Sequence, residues 1–187
     1  MLNSPTKPLT LEEFLNQPET KPASEYINGQ IIQKPMPRGK HSKLQGKLVT
    51  DINQLAETQK IALAFPELRC TFGGRSIVPD VAVFAWERIP LDANGDVANV
   101  FETYPDWTIE ILSPEQSQTK VTGNILHCLK YGSCLGWLID PDERSVIVYP
   151  PKQQPELLQA EQEILPAPDL VSNLQLTVGE LFGWLKL

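Results

Sequence analysis

Two acids stand where acids are costly. Asp80 lies in SIVPDVAVF, among Val78, Val81, Val83 and Phe84. Glu110 lies in WTIEIL, among Trp107, Ile109, Ile111 and Leu112. Both segments read as strands entering a core, because they are rich in β-branched and aromatic residues. A carboxylate among aliphatics must be paired, hydrogen-bonded or bound to a metal. If the two strands are neighbours, the acids converge on one point. Carboxylates that close repel, and one pKa rises unless a cation sits between them. A hard cation such as Mg²⁺ takes oxygen ligands and keeps several waters. Beside a phosphate it polarises the ester and makes water a better nucleophile. The chemistry offered is metal-assisted hydrolysis. The plainer alternative is that each acid faces solvent, ends a strand, or pairs with Arg69 or Arg75.

The elements that would position the pair follow from local pattern. Thr10-Leu11-Glu12-Glu13 has the form of a capping box, which predicts a short helix ending before Pro18. Asn28-Gly29 within YINGQII predicts a hairpin. From His41 to Gln59 the apolar residues Leu44, Leu48, Ile52 and Leu55 recur at helical spacing. Strands are expected over 61–65, 68–72 and, as one run, 76–84. A long loop follows over 87–105, then a buried strand over 107–112. Ser113-Pro114 is expected to open a helix that Gly132 ends. Strands over 135–139 and 145–149 flank the turn Asp140-Pro141-Asp142, and Pro150, Pro151 and Pro155 predict a surface loop. Thr177-Val178-Gly179-Glu180 is a second capping box for a last short helix. The strand–helix–strand crossover among other strands predicts an α/β fold, a mixed sheet with helices against it.

The 187 residues suffice for one domain with its own core, expected to span the whole chain after a loose tail over residues 1–8. No apolar run approaches the roughly 18 residues of a membrane span. The first ten residues carry no apolar leader pattern, and the three cysteines form no CxxC motif. A cytoplasmic protein with reduced thiols is the expectation. His41 and His127 are too few for a histidine-built metal site, so any metal would be held by oxygen. The net charge of −7 argues against a protein that simply coats nucleic acid. The charge is uneven, however. No acid falls between Tyr26 and Thr50, where Lys34, Arg38, Lys40, Lys43 and Lys47 cluster, against 11 basic and 23 acidic residues elsewhere. Such a segment either steers a phosphate backbone or is a solvated helix face. His41 and Gln45 share one face of the helix and are candidates to line a cleft. His127, between Leu126 and Cys128, reads as packing.

Taken in order, EYINGQII, the His41 helix, VPDVAVF, IEILSPE and Tyr131-Gly132 followed by GWLIDP resemble the Uma-type family of restriction-endonuclease-like domains, in the PD-(D/E)XK nuclease superfamily. The likeness runs from about Thr10 to Leu187. It implies a restriction-endonuclease-like core, with Asp80, Glu110 and the backbone carbonyl of Ile111 as ligands for Mg²⁺ or Mn²⁺. It also implies that Glu25 helps hold metal or water, although Glu25 reads equally well as a hairpin surface residue. The superfamily's lysine is absent two residues after the acid, where Leu112 stands. The related position on the following helix is Asn124. Lys120, one turn earlier, is then the candidate to stabilise charge on the attacked phosphate, or else an ordinary exposed lysine. The expected function is a metal-dependent endonuclease acting on nucleic acid, DNA before RNA. The alternative is a catalytically inactive binding or assembly module that kept the acids and lost the lysine. By analogy of fold a homodimer is also expected, paired through the strand 145–149 as an edge or through the last helix.

Overall fold

The computed structural model describes residues 9–187, and the expected tail over 1–8 lies outside them. Helix α1 (Leu11–Leu15) opens on the Thr10–Glu13 capping box. Strands β1 (Ser24–Ile27) and β2 (Gln30–Gln33) form the hairpin, with Asn28 and Gly29 both at positive φ. That conformation suits Asn-Gly and matches the strand twist. Helix α2 (Gly39–Ala56) buries Leu44, Leu48 and Ile52. Strands β3 (Ala62–Pro66), β4 (Cys70–Phe72), β5 (Arg75–Ile77) and β6 (Val81–Ala85) follow. Then come β7 (Trp107–Ile111), α3 (Gln118–Tyr131), β8 (Leu135–Asp140), β9 (Ser145–Tyr149), β10 (Glu156–Leu158) and α4 (Val178–Gly183).

Among the described residues, ten strands build two sheets. The larger has the order β10-β9-β8-β7-β6-β3, and the smaller β2-β1-β5-β4. In the larger sheet β7 and β8 run parallel and the other pairs antiparallel. This is the expected mixed α/β architecture. One face of the large sheet carries Val81, Val83, Trp107, Ile109, Trp137 and Ile139 against α2 and α4. The other face carries α3 and the small sheet, with Ala82 and Phe84 packed on Ile77 and Phe101. Helix α3 lies close on β8 because Gly136 has no side chain: a Cβ there would clash with Ile125 Cγ2. Gly136→Ala is therefore expected to cost about 1–3 kcal/mol in urea unfolding, and the double variant with Ile125→Ala should lose less than the sum of the two separate losses.

Three expectations are corrected. The run 76–84 is two strands in different sheets. Pro79 has no N–H for a ladder, and the chain crosses from the small sheet to the large one at Val78-Pro79-Asp80. Helix α3 begins at Gln118, since residues 113–117 close a turn in which Ser113 N–H donates to Gln116 Oε1. Strand β9 is no edge: Glu156–Leu158, hidden behind three prolines, pairs along it. The expected pairing through an exposed 145–149 edge is thus unavailable.

Candidate active site

The break at Pro79 creates the site. Its neighbouring peptide groups are met largely by side chains, although Asp80 O also accepts from Glu67 N–H at 3.2 Å. Val78 N–H donates to Glu25 Oε1 at 2.8 Å, and Val78 O accepts from Lys34 Nζ at 2.6 Å. Asp80 O accepts from Gln45 Nε2 at 2.8 Å. The hairpin and α2 therefore grip the link from two sides.

Beyond the link, β6 and β7 pair antiparallel as Val83–Trp107, Ala82–Thr108 and Val81–Ile109. Continued by one residue, that register sets Asp80 opposite Glu110. Both are almost wholly buried, at 1% and 2% exposure. Asp80 Oδ2 accepts from Ile111 N–H at 2.7 Å and lies 3.1 Å from His41 Nε2. Asp80 Oδ1 accepts from Lys34 Nζ at 2.6 Å. Lys34 Nζ is also 3.9 Å from Glu110 Oε2. Glu25 is buried too, and Asn124 Nδ2 donates to its two oxygens at 3.3 and 3.1 Å.

The charges of this cluster tune one another. Burial disfavours charge on Lys34, but attraction to Asp80, Glu110 and Glu25 outweighs it and raises the pKa of the ammonium. Burial opposes ionisation of Asp80 as well, yet Lys34 and His41 hold its pKa below the usual carboxylate range. Glu110 goes the other way. Burial pushes its pKa well above normal, Lys34 pulls it back, and the charges of Asp80 and Glu25 add to the rise.

Three buried carboxyls thus face one ammonium. Glu110 Oε1, Asn124 Oδ1 and His41 Nδ1 have no hydrogen-bond partner. Among the described residues no group of three or more His, Cys, Asp and Glu forms a ready cage for a metal. A cation that keeps most of its waters needs fewer protein ligands. The unpartnered oxygen of Glu110 and the all-oxygen donors fit such a cation.

The structure brings Asp80, Glu110, Glu25 and the Ile111 backbone together, and adds His41 and Gln45. It leaves Lys120 exposed on the wall of a cleft of about 300 Å³, which Glu25, Lys34, Ser117 and Asn124 also line. Lys120 makes no hydrogen bond or ion pair with Asp80 or Glu110. Of the two readings of the basic segment, the helix cations form the solvated face, and acids meet most of them. Lys34 is buried, Arg38 pairs with Glu115 at 3.0 Å, Lys40 with Asp142 at 2.7 Å, and Lys47 with Asp51 at 3.1 Å. Acids from distant loops and from the helix itself meet four of the five cations. Lys34 was missed because it follows a polar strand and precedes Pro35. One signal pointed to it: period-two alternation from Ile32 puts Lys34 on the same hairpin face as Glu25, which pairs with Ile32.

His127 is outside the site, as its surroundings suggested. It stacks on Phe72 with ring centroids 4.7 Å apart and touches Tyr131. Burial lowers its pKa, against the Phe72 carbonyl that favours the charged ring. The unfolded chain therefore takes up the proton first as pH falls, so stability from this residue is present above the unfolded pKa and lost below it. Burial of Glu110 works the other way in the same window, so the test is a difference: between about pH 7 and 5 the parent's urea midpoint should fall relative to that of His127→Gln.

A family model, Uma2, described as "Putative restriction endonuclease", matches residues 11–179. A solved structure described as a putative nuclease belonging to DUF820, from Anabaena variabilis, shares 59% identity. The match covers 96% of this chain and 100% of that one, with a TM-score of 0.94. No curated protein matches the chain. Among the described residues no helix is long and apolar enough to cross a membrane.

Proposed function

The chain belongs to the Uma2 family, and from that premise we propose that it is a metal-dependent nuclease hydrolysing phosphodiester bonds in DNA. One observation carries the reading: a buried carboxyl just before β6 lies beside a buried carboxyl on the neighbouring β7, with one oxygen of Glu110 left unpartnered. Asp80, Glu110 and the Ile111 carbonyl would hold Mg²⁺ or Mn²⁺. Bound there, the cation would supply Lewis acidity toward a phosphate oxygen and a more acidic water.

The residues of the chain do the rest. Ile111 N–H and His41 fix Asp80 by its Oδ2. Asn124 fixes Glu25 at the cleft wall, where Glu25 can orient a water or accept its proton. The cleft beside Lys120 and Ser117 would seat the strand, with Lys120 facing its phosphates. Attack of water on phosphorus forms the new P–O bond as the bond to the leaving sugar oxygen breaks, and that oxygen departs with a proton from solvent.

The second reading, a non-catalytic module, also has an observation behind it: Lys34 already satisfies Asp80 without a metal. Calorimetric titration with Mn²⁺ separates the two, run beside Asp80→Asn and Glu110→Gln. The nuclease reading expects binding by the parent that both variants lose, together with Mn²⁺-dependent nicking of supercoiled DNA. No binding at millimolar metal would leave the module as the surviving reading.

A further inference from the structure

The lysine expected at position 112 or 124 is in neither place, and Lys120 stays at the rim. Yet a lysine does reach the carboxylates, from a different part of the chain. Lys34 leaves the end of β2, with its N–H held by Ala23 O at 2.9 Å. Its side chain is 9% exposed, and its ammonium touches Asp80 and Val78 O and approaches Glu110. Its side of the hairpin also lines the cleft. The ammonium thus stands where a cation shared by Asp80 and Glu110 would stand. Two positive groups within a few ångströms of one carboxylate repel strongly in a buried site.

We infer that Lys34 is the lysine of this site and that it works in two positions. In the metal-free protein it is the internal counter-ion of Asp80. When a divalent cation takes Asp80, Lys34 is displaced toward the cleft and donates to a phosphate oxygen of the substrate. The inference rests on the metal-dependent reading above. It explains how the fold keeps buried acids without a metal and how the site has a lysine despite Leu112 and Asn124.

The test uses the full chain and Mn²⁺ as the probe. Lys34→Met should bind Mn²⁺ roughly tenfold tighter than the parent, because a competing charge is gone. At saturating Mn²⁺ it should cleave DNA roughly 100-fold more slowly. Lys120→Met should leave Mn²⁺ affinity unchanged. A second measurement needs no variant: amine acetylation of the parent, read by mass spectrometry. Lys34 should resist acetylation without metal and become reactive when Mn²⁺ is added, while Lys120 reacts equally in both. Mn²⁺ binding by the parent with no gain in Lys34→Met, or with Lys34 still protected, would overturn the inference and leave the nuclease reading standing. If Lys34→Met does not fold, the acetylation result decides. A parent that binds no Mn²⁺ would sink both.

Discussion

Asp80→Ala is expected to lower the unfolding free energy by about 3–5 kcal/mol, measured by urea denaturation of the metal-free protein. The carboxylate is the acceptor for Lys34 Nζ and Ile111 N–H and the partner of His41, and all of these groups are buried or nearly so. Removing it strands an ammonium in the interior, which costs far more than breaking an exposed pair. Adding Lys34→Met should recover most of the loss, because neither charge then remains to be satisfied. A loss for Asp80→Ala near that of an ordinary surface substitution, about 0.5 kcal/mol, would mean that the buried pair does not form.

Glu110→Gln should have the opposite effect on stability and the larger effect on activity. The carboxyl has one oxygen without a partner and shares its pocket with two other acids. Burial raises the pKa of this carboxyl, so folding near neutral pH must either protonate it or bury its charge; a neutral amide of the same shape escapes that cost, and the metal-free variant should have the higher urea midpoint. Loss of a proposed metal ligand removes several kcal/mol of transition-state stabilisation, so DNA cleavage should fall about 1,000-fold or more. Stabilisation with lost activity is the mark of a residue kept for function at a cost to the fold. A variant that is less stable and still active would mean that Glu110 serves the fold.

These two acids were legible in the sequence because each interrupts an otherwise apolar strand. The hairpin, both capping boxes and the helix around Leu44 and Ile52 were legible for the same reason: turn chemistry and periodicity are local. What the sequence hid is non-local. Lys34 and Asp80 are 46 positions apart, and Asn124 and Glu25 are 99 apart. Nothing within a few residues of Lys34 distinguishes a buried ion pair from a solvated loop. The break at Pro79 was visible as a proline but read as a strand interior, because the apolar residues on both sides kept the pattern unbroken. Strand β10 was masked by the prolines before it and by Glu156, a poor strand former.

The hairpin turn also has a bearing on heredity. Glu25, Ile32 and Lys34 share one face only because Asn28 and Gly29 close the loop in two residues. A point mutation in that turn strains the backbone at positive φ but leaves the count of residues, and so the register, as it was. A single-codon insertion or deletion does not, because a slip of one position rotates each later side chain to the other face. Lys34 would then point to solvent while Asp80 stayed inside. The length of a surface turn, which most proteins vary freely, is here as constrained as the acids themselves.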